Sequence, residues 1–201
     1  MAGRYQSKGM MDEPDTDTPS LEGKLLVAMP TMGDPRFERT VIYMCAHSPE
    51  GAMGLVVNKP AEHISFPELL GQLGIEAETD VEQIRVLSGG PVESGRGFVL
   101  HSDDYTQATT MEVGESVALT ATVDILRAIA SGHGPRKCLF ALGYAGWGPG
   151  QLDAEIQANG WLHVDADPDL LFSADFERKW GKAIAKLGFD IAHLSGTAGR
   201  A

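Results

Sequence analysis

With 201 residues, 43% of them hydrophobic, the chain carries enough apolar side chains for one well-packed domain and hardly enough for two. Sixteen basic residues against 28 acidic ones leave a formal net charge of −12, which repels phosphate backbones and anionic lipid and sets nucleic-acid or membrane-surface binding at a disadvantage. No apolar run approaches the roughly 20 residues that span a bilayer, and the N-terminal stretch lacks the apolar core of a secretory signal, so a cytoplasmic protein is expected.

Residues 1–20 are rich in Asp, Thr, Ser and Pro and nearly free of apolar residues after Met11, a composition that predicts a disordered tail before a single domain over 21–201. Lys24 to Met29 reads as a short strand stopped by Pro30, and Asp34-Pro35 as the cap and first residue of a single helical turn. Thr40 to His47 and Ala52 to Asn58 form a predicted hairpin around Ser48-Pro49-Glu50-Gly51, apolar enough to be buried on both faces. Ser65 and Glu68 have capping-box spacing for a helix through Leu69, Leu70 and Leu73 that Gly74 would close. Short strands are expected at Ile84 to Leu87, Gly97 to His101 and Ser116 to Ala121, then a helix capped by Thr122 that runs through Ile129 to about Gly132. Lys137 to Leu142 is a strand candidate, Gln151 to Asn159 a helix ended by Gly160, and Trp161 to Val164 a further strand. The last helix, about Ala174 to Leu187, spaces Phe176, Trp180, Ile184 and Leu187 at helical intervals before Gly188. Strands outnumber helices without regular alternation, so the fold class is α+β.

The stretch LGYAGWGPGQLDAEI places four glycines between an apolar run and a helix start, the parts of a phosphate cradle. Gly143 and Gly148 have the spacing of a nucleotide loop, but Pro149-Gly150 stands where Lys-Ser/Thr is needed, and Asp153 and Glu155 would repel an anion. The glycines are better explained as shaping a turn beneath Tyr144 and Trp147, with Tyr144, Trp147, Gly148 and Gln151 as a candidate partner-binding surface. Ser88-Gly89-Gly90-Pro91 reads as a turn between strands, since Val86 stands where a nucleophile elbow requires glycine.

Arg39, His47, Asn58, His101 and Asp103 make up a second candidate, a small pocket. His47 and His101 each end a strand, where hydrogen bonding to backbone is the expected role, and Cys45 precedes His47 by two residues on the same predicted strand face. There is no C-x-x-C or H-x-x-x-H, so no metal, cofactor or catalytic residue is assigned, and the two cysteines are expected to be buried thiols. Asp34, Arg36 and Arg39 are expected to form an ion-pair network around Phe37, and Asn58 to form a turn.

Taken in order, LEGKLLVAMPTMGDPRFERTVIYMCAHSPEGAMGLVVNKP, LSGGPVESGRGFVLH and LGYAGWGPGQLDAEIQANGW resemble the AlgH/YqgE family of bacterial proteins, a likeness covering about Leu21 to Ala201. The resemblance implies a strand-rich, barrel-like sheet surrounded by helices in a cytoplasmic bacterial protein. It carries across no catalytic residue, substrate or cofactor. The family bears a transcriptional-regulator label; with net charge −12 and no helix-turn-helix pattern, regulation would be expected to act through a protein partner rather than by DNA binding. The leading expectation is therefore a non-enzymatic binding or regulatory protein, with a small-ligand binder or enzyme using the histidine pocket as the alternative.

Overall fold

The computed structural model describes residues 19–188, so the expected tail over 1–20 and the C-terminal end of the family resemblance lie almost wholly outside the described residues. Three apolar strands, Lys24–Ala28 (β1), Val41–Ser48 (β2) and Gly51–Val56 (β3), pair antiparallel, and Val41 through Cys45 are all buried, as continuous hydrophobicity predicts. Between β1 and β2 the Asp34 carboxylate accepts the Arg36 N–H and caps one 3₁₀ turn, Pro35–Phe37.

The predicted capping box is present: Ser65 Oγ accepts from the Glu68 N–H, Glu68 Oε2 accepts from the Ser65 N–H, and helix Phe66–Gln72 (α1) follows, with Gly74 in the left-handed conformation beyond its end. Strand Val86–Ser88 (β4) leads into the long Val92–Ser102 (β5), whose first half was not expected as strand. The two-residue Met111–Glu112 (β6) is too short to leave a sequence signal, and it pairs with Val117–Thr120 (β7). Helix Val123–Ala130 (α2) forms where its apolar spacing places it, but the Thr122 hydroxyl donates to Gln107 Oε1 and makes no cap.

The principal departure is strand Cys138–Trp147 (β8). The sequence suggested a strand ending at Leu142 and a glycine turn, yet Gly143 to Trp147 continue the strand, and only Gly148 to Gly150 turn. After helix Gln151–Gln157 (α3), it is Asn159 that takes a positive φ of 57°, whereas Gly160 was the expected helix end. Strand Trp161–Asp165 (β9) pairs with β1; a single helical turn, Pro168–Leu171 (α4), was not foreseen, and Phe176–Lys186 (α5) closes the described chain.

The strands make one nine-stranded sheet in the order β6-β7-β5-β8-β3-β2-β1-β9, with β4 parallel to β8, curled into a half-barrel around a single compact α+β domain. β8 joins the two halves. Its Leu139 to Leu142 stretch lies between β5 and β4, and its Ala145 to Trp147 end pairs with β3. Where β3 and β4 meet along β8, Gly89 is wedged in by backbone alone: its N–H donates to the Leu142 carbonyl at 2.7 Å and its carbonyl accepts from Val56 at 2.9 Å. Gly90 beside it has φ 154°, and a Cβ there would lie 2.0 Å from the Tyr144 carbonyl carbon, so no side chain fits.

One sheet face packs Leu25, Val27, Val41 and Tyr43 against Trp180, Ala183 and Ile184 of α5. The other face packs against α3 through Leu152, and against α1 and α2 through Phe66, Leu70 and Ile125. Helix α5 covers the end of the first face marked by Ala28 and Val57, where the Trp180 indole and the Lys179 ammonium donate to their carbonyls. The end marked by the β2–β3 hairpin is open.

Candidate functional site

The open end is a cleft of about 830 Å³. Its floor is apolar: Cys45 from β2, Phe98 from β5 and Leu119 from β7 are buried, and Met53 and Tyr144 are half-buried beside them. The Tyr144 ring meets Phe98 edge-to-face at 5.9 Å. Val92 and Met111 stand at the lip, 36% and 57% exposed, two of the few large apolar side chains this open to solvent. Around them the rim is polar, with Glu50, Glu93, Thr109 and Thr122. Arg96 is tied to its own surroundings, 3.5 Å from Glu93 and stacked 5.1 Å over the Phe98 ring.

Tyr144 owes its place on the floor to a change of parity in β8. Leu139 and Ala141 face the inner core and Phe140 the helix layer; Gly143, at φ 72°, offsets the alternation so that Tyr144 faces inward again. A Cβ on Gly143 would lie 2.4 Å from the Gly90 carbonyl oxygen, so the two glycine motifs of the sequence are one backbone-to-backbone contact.

The predicted partner-binding surface is only partly brought to the cleft. Tyr144 and Trp147 border it, but Trp147 is 8% exposed and its indole N–H donates to Glu155 Oε2 at 3.0 Å, so it is pinned as a core residue and does not lie over a turn. Gly148 donates its N–H to Gln151 Oε1, and Gln151 Nε2 donates to Glu155 Oε1, an arrangement that closes the turn.

The five residues of the predicted small pocket are not assembled into one. β8 and β3 lie between the strands that carry His101 and His47. His101 is fully buried; its Nδ1 donates to the Ser102 carbonyl at 2.8 Å, its Nε2 accepts from the Thr120 hydroxyl at 2.9 Å, and burial holds its pKa below the ordinary histidine range. His47 accepts the Leu21 N–H at Nδ1 and lies 3.7 Å from Asp153. Both rings thus fix backbone, as expected of strand-end histidines. A register shift in β2 between Met44 and Ala46 sends Cys45 into the inner core while His47 turns to the α3 side, so the predicted shared face does not exist. Asn58 bridges backbone, accepting from Val41 N–H and donating to the Arg39 carbonyl. Arg39 stacks 5.6 Å over Trp180 and is not part of the Asp34–Arg36 pair, which corrects the expected network. Asp103 is exposed at a turn.

Burial pushes the Cys45 thiol up to about 12 and the Cys138 thiol up to about 11. Among the described residues no three His, Cys, Asp or Glu side chains are grouped to hold a metal ion, and no helix is long and apolar enough to cross a membrane. The geometry therefore offers shape, apolar area and rim charge. What the sequence did not reveal was the cleft itself, because its walls come from four separate stretches of chain.

A family model described as AlgH-like (DUF179) matches residues 25–192. A UPF0301 protein of Bradyrhizobium diazoefficiens is 57% identical over 196 residues, covering 94% of this chain and 92% of its own. Another, from Rhodospirillum rubrum, is 57% identical over 181 residues, covering 90% and 94% respectively. The solution structure of the AlgH protein from Pseudomonas aeruginosa matches with a TM-score of 0.73 at 41% identity, over 98% of this chain and 100% of that one. A Corynebacterium diphtheriae protein shares the fold at 17% identity, with a TM-score of 0.68. The chain belongs to the AlgH-like family of UPF0301 proteins.

Proposed function

We propose that this protein is a non-enzymatic binding protein that acts through a protein partner, and that the partner enters the open cleft as an extended segment. The observation that carries this is the shape of the gap: a cleft of about 830 Å³ bounded by the terminal strand β6 on one flank and the β2–β3 hairpin on the other, with exposed Met111 and Val92 at its lip. A terminal strand offers backbone groups to a guest strand, and an apolar floor takes alternate side chains of that guest. Glu93 on the rim is paired with Arg96, which leaves Glu50, with the net charge of −12, to favour a guest carrying basic residues. The same charge opposes direct DNA binding.

The test is selection of peptides from a displayed random library on the full chain, with a Val92→Asp/Met111→Asp variant as counter-target. Both side chains are exposed, so the variant should melt within a degree or two of the parent. Peptides with alternating apolar and basic residues that bind the parent at least about tenfold more tightly are expected. No enrichment, or equal binding to the variant, removes the proposal; saturable binding of small apolar dyes without peptide enrichment would favour a small ligand instead.

A further inference from the structure

The described chain begins at the lip of the open cleft, and we propose that residues 4–11 dock there as an intramolecular competitor of the partner. This rests on the reading of the cleft as a site for an extended segment and adds the regulation of that site. Ser20 and Leu21 run alongside the end of β2: the Ser20 hydroxyl donates to the His47 carbonyl at 3.4 Å, and the Leu21 N–H donates to His47 Nδ1 at 3.1 Å. Ala46 and Ser48, the neighbours of His47 in β2, both line the cleft. Leu21 is buried and the Gly23 N–H donates to the Met44 carbonyl at 2.9 Å, so this entry to the fold is fixed against the sheet. The chain before Ser20 therefore joins the domain beside the cleft.

The sequence before that point divides in two by charge. MAGRYQSKGMM, residues 1–11, carries Arg4 and Lys8 and no acid; DEPDTDTPS, residues 12–20, carries Asp12, Glu13, Asp15 and Asp17 and no base. On the cleft rim, Glu50 accepts from the Ser48 hydroxyl at 2.8 Å and has no cationic partner among the described residues. Its charge attracts the first block and repels the second, which sorts the segment into an occupant and a spacer.

The occupant has the pattern the cleft asks for. Laid out as a strand, it sets Arg4 and Lys8 on one face and Tyr5 and Met11 on the other. The apolar pair then meets the floor of Phe98, Leu119 and Met53, and the bases turn toward the rim. The spacer is long enough: residues 12–19 span at most about 28 Å, well beyond the breadth of a cavity of about 830 Å³. A tether of this length sets an effective concentration on the order of millimolar, so contacts too weak to hold a separate peptide can hold this one.

The test follows the resonances of isotope-labelled methionine methyl groups in the full chain. Met53 and Met111 line the cleft, whereas Met29 and Met44 do not. A Tyr5→Ser/Met10→Ser/Met11→Ser variant is expected to move the Met53 and Met111 signals and to leave those of Met29 and Met44 in place. Reciprocally, Val92→Asp in the parent should send the Met10 and Met11 signals to the positions they take in a separate peptide of residues 1–11. Peptides selected on the cleft should bind the triple variant about tenfold more tightly than the parent, as removal of a competitor that fills the cleft about nine-tenths of the time requires. Unmoved Met53 and Met111 signals overturn the proposal and leave the partner reading standing; moved signals with no peptide enriched support the docking and remove the partner. Signals that move only as protein concentration is raised would put the segment in the cleft of a second copy and overturn the intramolecular form.

Discussion

Lys179 is completely buried; its Nζ donates to the carbonyls of Val57 and Leu171 and lies 4.9 Å from the Phe176 centroid. Burial, with a smaller push from the Lys182 ammonium, lowers its pKa to about 7. An unfolded chain holds that proton to about pH 10.4, so above pH 7 the unfolded state binds more protons and stability rises with pH. The thiols act oppositely: buried Cys45 and half-buried Cys138 keep their protons to about 12 and 11, while unfolded thiols release them from about pH 8.5, so their contribution falls above that point. Between pH 7 and about 8.5 the lysine dominates, and Lys179→Met should lose ground to the parent by about 1.5 kcal/mol across that window. Urea denaturation at several pH values measures it; parallel curves for parent and variant would contradict a depressed lysine. The Cys45 thiol, 3% exposed, should also resist a thiol-reactive dye in the native protein at pH 8 and react on unfolding. The cysteines were legible as thiols within apolar runs, but the lysine was not, being one of two adjacent basic residues on a helix; its burial depends on Val57, 122 residues earlier, as well as on neighbouring α4.

At the scale of elements, the regular helices and the β2–β3 hairpin were legible because their signals are local. The Ser65–Glu68 box, the Asp34-Pro35 cap and the apolar spacing of α2 and α5 each lie within one or two turns. β8 misled for an equally physical reason. Glycine lowers strand propensity, yet here glycines admit the backbone of the β4–β5 connection, a requirement that only the partner segment reveals. Two substitutions separate the roles. Gly143→Ala needs a positive φ and meets the Gly90 carbonyl at 2.4 Å, and it should cost more than about 3 kcal/mol. Gly150→Ala has a similar φ of 68° with open space around it, and it should cost about 1 kcal/mol. Denaturant midpoints of the two variants check the contrast; equal losses would mean that conformation alone, and not close approach, keeps glycine in β8.

For the whole molecule, the excess of acid acts on stability as well as on partners. Ion pairs such as Lys24–Asp165, Lys137–Asp169 and Lys186–Asp167 are exposed and each is worth little. Self-repulsion at a net −12 should outweigh them, so raising salt from about 20 mM to about 0.3 M is expected to raise the melting temperature by a few degrees. A fall would show that the ion pairs prevail. The candidate site belongs to this scale too, which is why so little of it was readable: Tyr144 was singled out for its glycine neighbours, but Phe98, Leu119 and Met53 share a floor with it only because β8 is held by both half-sheets. The histidines stood out by residue type, and each proved to be spent on backbone.

The wedge at Gly89 also constrains the order of events in folding. Its two hydrogen bonds join Val56, Gly89 and Leu142, three points of the chain separated by 33 and 53 residues, and neither can form inside a local hairpin. Loop closures of that length are slow compared with helix or hairpin formation. β2–β3 and the β5–β7 ladder can assemble early as independent pieces, and the rate-limiting step should be the seating of Gly89 between them against β8. A side chain at Gly89 or Gly90 would then slow refolding more than it speeds unfolding, a kinetic signature expected of the last joint to close when it is formed in the transition state.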